Sequence, residues 1–224
     1  PLLSDNVRAV RIIAARNLQG AARNGLGGSQ GAWDKAIGEY EKVQLSLAER
    51  AESNLNLAML YQASGRNAEV EPRLRTALLR DPDFYPALVT LAQWLEAGGR
   101  KAEASTLLSD AIKAQPQAAL LQHSLGLALI RAGQPEQAMK ALQQAVKLEP
   151  DNSQYRYVLP VALHQGGQLD QACAQMEELL KRQPAFRDAR LALIQFYLDT
   201  GQEPKAQVVL QAWKQINPED MALK

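Results

Sequence analysis

Residues 119–152 read ALLQHSLGLALIRAGQPEQAMKALQQAVKLEPDN. Apolar residues recur three and four apart within each half of this stretch: Leu121, Leu125, Leu129 and Ile130, then Ala138, Leu142, Ala145 and Val146. That is the period of a helix with one buried face. Gly133 lies between the halves, where a helix has to end and the chain to reverse through a left-handed residue that Gly adopts at least cost. Pro150 closes the second half, because Pro lacks an amide hydrogen and pushes its predecessor out of the α region. The stretch predicts a helical hairpin.

The same hairpin recurs. Pro82, Pro116, Pro150, Pro184 and Pro218 follow one another at intervals of 34 residues, and Gly31, Gly65, Gly99, Gly133, Gly167 and Gly201 keep the same step. A small-residue column runs through Ala36, Val70, Ala104, Ala138, Ala172 and Ala206, and a larger one through Tyr40, Leu74, Leu108, Leu142, Met176 and Leu210. Small residues let two helix axes approach, and the larger side chain one turn later fills the adjoining groove. A fixed period of this length marks a repeat architecture.

These columns resemble those of the tetratricopeptide repeat family over residues 51–220, as five units: 51–84, 85–118, 119–152, 153–186 and 187–220, with a tail at 221–224. The family's other marks are Leu57, Leu91, Leu125, Leu159 and Leu193 in the first helix, followed one turn on by Tyr61, Leu95, Leu129, Leu163 and Tyr197. The usual first-helix Trp is missing from every unit. The resemblance implies an all-α, right-handed superhelical solenoid of antiparallel helix pairs. It also implies a non-enzymatic scaffold for protein–protein interaction.

Upstream the pattern degrades. Residues 32–50 read as the second helix of an incomplete unit, with Trp33, Ala36, Ile37, Tyr40 and Val43 on one face and no first helix of its own. Residues 20–31 are a Gly-rich linker without apolar periodicity. Residues 1–19 contain an amphipathic helix over 5–18, through Val7, Val10, Ala14 and Leu18, with Ser4 or Asp5 available as a cap. LLSDNVRAVRIIAARNL is similar to the second helix of a HEAT repeat. A HEAT-like helix, a glycine loop and a tetratricopeptide array in that order resemble the C-terminal region of some bacterial multihaem c-type cytochromes. That second resemblance implies a structural arm of a larger periplasmic protein, and favours the periplasm over the cytoplasm. It places any haem upstream of Pro1, because this chain contains no CxxCH; no cofactor is expected here. The start at Pro1, with no initiator Met and no signal peptide, reads as a piece of something longer.

Composition excludes several functions. With 25 Lys+Arg against 24 Asp+Glu there is no net basic field to attract nucleic acid. No apolar run reaches the roughly 18 residues needed to span a bilayer. Cys173 is the single cysteine and can form neither an internal disulfide nor a CxxC metal site. It reads as an inert buried thiol. Gly25 and Gly27 begin a GxG, but Gln30 stands where the third glycine of a phosphate loop belongs. His123 and His164 lack further metal ligands at suitable spacing. No catalytic constellation emerges, and the chain is not expected to be an enzyme.

In such an array the first helices line the concave side, so their residues that do not face the second helix are candidates for a peptide-binding groove. Those columns are Leu55, Val89, His123, Tyr157 and Leu191, then Met59, Gln93, Leu127, Val161 and Gln195. One turn on come Glu96, Ile130, His164 and Leu198, flanked by Arg131 and Asp199. Family members that grip acidic chaperone C-termini use a Lys/Arg and Asn clamp; here the matching positions are Leu55, Met59, Thr90, Leu120 and Ser124, which does not support that function. A mostly apolar groove suits a partner peptide or amphipathic helix. Two further expectations concern packing. Pro160 inside a first helix should kink it. Trp213 at the C-terminal edge should either fold over that edge or pair with a second copy in a homodimer.

Overall fold

The computed structural model describes residues 2–18 and 28–220. A short 3₁₀ turn at Leu2–Ser4 precedes twelve α-helices among them. They are α1 (Arg8–Asn17), α2 (Gln30–Ser46), α3 (Ala51–Ala63), α4 (Asn67–Arg80), α5 (Tyr85–Ala97), α6 (Lys101–Ala114), α7 (Ala119–Arg131), α8 (Pro135–Leu148), α9 (Ser153–Gln165), α10 (Leu169–Arg182), α11 (Arg187–Asp199) and α12 (Glu203–Ile216). The fold is an all-α helical repeat. Five first helices start at the expected residues, Ala51, Tyr85, Ala119, Ser153 and Arg187.

The reason lies in the turns. Gly65, Gly99, Gly133, Gly167 and Gly201 all have positive φ, between 68° and 80°. At the first of them the Arg66 amide donates to the Tyr61 carbonyl at 2.8 Å and the Gly65 amide to that of Gln62 at 3.2 Å. This pairing satisfies carbonyls that a helix end leaves open. It recurs at each of the other four glycines, with Arg100, Gln134, Gln168 and Gln202 as the outer donors. Gly31 departs from the column: it is the second residue of α2 and has no positive φ, because the turn it would serve does not occur there. At the other end of each hairpin, α4, α8, α10 and α12 stop two residues before the column prolines, and their C-caps Asp81, Glu149, Gln183 and Asn217 have left the helical region.

The chain divides at Arg100 into two compact units. In the first, α1 supplies a hairpin partner for α2, so the first helix expected to be absent is present upstream of its regular place. Ala14 and Ala15 of α1, with Leu3, pack against Trp33 and Ala36 of α2. Arg11 fixes the pair with two bonds to Glu39, Nε to Oε2 at 3.0 Å and Nη2 to Oε1 at 2.8 Å, while its Nη1 donates to the Asp5 carbonyl. The helix begins at Arg8 rather than Asp5; the Asp5 carboxylate accepts instead from the Val7 amide at 2.7 Å, in the turn before the helix. The central part of the expected linker, 19–27, lies outside the described residues, and Gln30 and Gly31 at its end belong to α2. Between α2 and α3 the column proline is replaced by Ala48. There the buried Asn54 amide donates to the carbonyls of Ala48 and Arg50, at 2.7 and 2.9 Å.

In the second unit consecutive helices from α6 to α12 pack in order, and α9 also touches α11. Its main core gathers Leu159 and Leu163 of α9, Met176 and Leu179 of α10, and Leu193 and Phe196 of α11. Cys173 is buried in that core, and burial, with Glu177 and Asp170 nearby, pushes its pKa up and keeps the thiol protonated. α9 continues through the buried Pro160 to Gln165, so the missing amide is accommodated inside an uninterrupted helix. Trp213 is fully buried within its own chain: the Arg187 guanidinium lies 5.8 Å from the ring and pairs with Asp220 at 2.8 Å. Burial of Trp213 within its own chain is what the capping alternative expects.

Among the described glycines, Gly126 is the one where an added Cβ would come nearest a neighbour, 2.6 Å from Cγ of the buried Leu142 on the paired helix. Helix propensity favours Ala over Gly by about 1 kcal/mol, but overpacking a filled core costs about 1–3 kcal/mol. Gly126→Ala is therefore expected to lower the urea midpoint, and a raised midpoint would show that α7 and α8 can separate freely.

Candidate functional site

The candidate surface is built by first helices, because each helix in a hairpin array covers a neighbour with two of its sides and leaves a third open. In the first unit α3 and α5 carry the expected positions. Met59 is 49% exposed and Gln93 is exposed, whereas Leu55, Val89 and Glu96 are half-buried.

In the second unit the expected positions divide into three groups. Leu191 and Leu198 on α11 are 38% and 46% exposed, and Gln195, Asp199 and Arg131 are also at the surface. Leu127, Ile130, Tyr157, Val161 and His164 are half-buried, and Ile130, Tyr157 and Val161 rest against the core. His123 is buried, contrary to expectation. Its ring stacks on Tyr155 of α9 at 4.6 Å between centroids, and its Nε2 has no hydrogen-bonding partner. Burial pushes its pKa down, so the imidazole is held neutral and serves as packing. The column's spacing carries no information about the aromatic ring that arrives from the next repeat.

Aromatic rings order the open face. His164 stacks almost parallel on Phe196 of α11, with centroids 4.1 Å apart and planes inclined by 8°. Its Nε2 lies 3.1 Å from Oδ2 of Asp199, inside ion-pair distance but out of hydrogen-bond alignment. Gln195 Nε2 donates to the other oxygen of Asp199 at 2.6 Å, which fixes the carboxylate beside the histidine. Tyr157 meets Phe186 at 5.4 Å. Neither Phe186 nor Phe196 was signalled by the groove columns; both lie on the far side of α9's neighbour in sequence but adjacent to it in space.

No group of three His, Cys, Asp or Glu among the described residues is placed to hold a metal ion, and no helix among them is long and apolar enough to cross a membrane.

The tetratricopeptide repeat model matches residues 63–127, 129–185 and 162–224, more than half of the sequence. The chain is a tetratricopeptide repeat protein. No curated protein sequence matches it. Among solved structures it is similar to PilW, a widely conserved type IV pilus biogenesis factor, at 18% identity over 98% of both chains with a TM-score of 0.70. It is also similar to the Thermus thermophilus protein TTC0263, at 23% identity over 84% of this chain and 99% of that one, TM-score 0.63. A third is YrrB, described as having an unusual peptide-binding site, at 24% identity over 81% of this chain and 94% of that one, TM-score 0.57. At these identities the likeness is one of fold. Tetratricopeptide repeat proteins commonly bind protein or peptide partners.

The buried His123 of this tetratricopeptide repeat protein yields a pH prediction. Its folded pKa is depressed, so its contribution is intact above the unfolded value near 6.5 and is lost as pH falls from there toward the folded value. The loss is at most about 1.4 kcal/mol per pH unit for one proton. His123→Phe, which keeps the stack on Tyr155, should flatten the fall in urea midpoint between pH 7 and pH 5; equal slopes in both proteins would refute the assignment.

Proposed function

We propose that this chain is a non-enzymatic interaction scaffold that captures an apolar stripe of a partner peptide or helix on the first-helix face of α9 and α11. The observation that carries the reading is the pair Leu191 and Leu198, both exposed and seven residues apart on one helix. Seven residues are two helical turns, about 10 Å of rise, which is the spacing of anchor residues on an amphipathic partner helix. Exposed apolar side chains arranged on one face mark an interaction surface. Tyr157, Val161 and the His164–Phe196 stack give that face a rigid floor, and rigid aromatic residues favour binding because little side-chain entropy is lost.

Asp199, held by Gln195 next to His164, supplies a polar rim. The remaining expected positions join the proposed surface in part: Leu127, Ile130 and Arg131 extend it along α7, and Leu55, Met59, Val89, Gln93 and Glu96 form a corresponding set on α3 and α5. His123 is withdrawn from it. The description of YrrB as a peptide-binding relative in fold is in keeping with this reading.

Peptides selected from a displayed random library on the whole chain should carry apolar residues at helical spacing. Leu191→Asp with Leu198→Asp should weaken the selected peptide at least tenfold, because each buried apolar anchor is worth about 1.5–3 kcal/mol, and circular dichroism should be unchanged. Undiminished affinity in the double variant would overturn the proposal. Leu127 and Val161 are poorer test sites, since Val161 also supports the core.

A further inference from the structure

A second concavity, separate from that face, opens where α10, α11 and α12 meet. It has a volume of about 440 Å³ and is walled mainly by Leu180, Leu193, Val209, Ala212 and Ile216. That size falls in the usual range of small-molecule sites, about 300–1,000 Å³. One cation lines it from inside the fold: Arg190, which is 5% exposed. Among the described residues no carboxylate pairs with its guanidinium, and the charge is disfavoured by burial alone.

The neighbouring repeat shows what Arg190 lacks. One period earlier, a cavity of about 310 Å³ at α8, α9 and α10 is lined by Arg156 together with Gln143, Gln175 and Glu178. There the guanidinium Nε donates to the Pro150 carbonyl, and Gln175 and Glu178 share the wall with Val146 and Leu159. Thirty-four residues on, Gln175 and Glu178 become Val209 and Ala212 while the arginine stays. Two other charged residues stand in the wall of the second cavity and have partners of their own: Glu177, still an anion, accepts from the Tyr197 hydroxyl, and Lys181 faces Glu178 at 3.8 Å. The cavity therefore combines mainly apolar walls with a guanidinium that has no carboxylate partner among the described residues.

We infer that this cavity binds an apolar monocarboxylate, an acyl chain ending in a carboxylate, with the carboxylate on Arg190 and the chain along α12. A carboxylate answers the guanidinium with paired hydrogen bonds, and a saturated chain needs no hydrogen-bonding partner from the walls. A peptide would bring a backbone donor and acceptor with every residue, and these walls offer almost nothing to satisfy them.

Calorimetric titration of the whole chain with decanoate, acetate and 1-decanol tests this. Decanoate should bind one to one, and both acetate, without a chain, and decanol, without a charge, should bind at least tenfold more weakly. Arg190→Met removes the charge and keeps apolar bulk, and should abolish the preference for decanoate over decanol. Ala212→Phe fills the cavity and keeps the charge, and should weaken decanoate at least tenfold with unchanged circular dichroism. Absence of saturable decanoate binding up to millimolar concentration would overturn the inference. So would a preference for decanoate that survives in Arg190→Met, or a peptide with an apolar C-terminus that binds through Arg190 while decanoate does not.

Discussion

Every regular hairpin in this chain depends on a residue that can stand at φ near +70° at the end of its first helix. An L-residue with a side chain is disfavoured there by about 1–2 kcal/mol, and five such turns recur. With the turn fixed, the amide of the following residue closes on the carbonyl five residues back each time. The Ala and Leu columns then meet their counterparts without further instruction. Where the glycine lacks a first helix directly before it, at Gly31, it simply enters α2, and α1 reaches its partner across a longer connection, held by Arg11 and Glu39.

The same regularity decides which surface remains open. A first helix is covered by its own second helix and by the hairpins before and after, so the side chains left over form a face of repeated composition. Its chemistry is set by columns that the packing does not constrain, which is why Leu191 and Leu198 can be exposed while Phe196 between them is buried under His164.

Helix starts, turn glycines and stop prolines were legible in the sequence because each is a local rule with one strong residue preference. What was not legible depended on neighbours from other repeats. His123 occupies a column that is half-buried or exposed in the other repeats, yet Tyr155 from the next repeat covers it. The hairpin role of α1 was hidden because the inserted segment displaces it from the 34-residue register. Asn54 and Arg190 share the column where the family usually has Trp, and the missing Trp was visible; that one replacement ties down a turn and the other is an unpaired charge beside a cavity required coordinates. Trp213 left two outcomes open in sequence, and that Arg187 reaches across the final hairpin to Asp220 beside its ring required coordinates.

Docking on first helices and not on second ones makes one position reactive toward a bound partner and the other not. Photo-crosslinking states this most directly, with benzoylphenylalanine placed either at Leu198 on α11 or at Leu79 on α4, which is 79% exposed and the more accessible of the two. With a library-selected peptide present, a crosslinked product is expected from position 198 and none above background from position 79. Equal yields, or a product from position 79 alone, would contradict it.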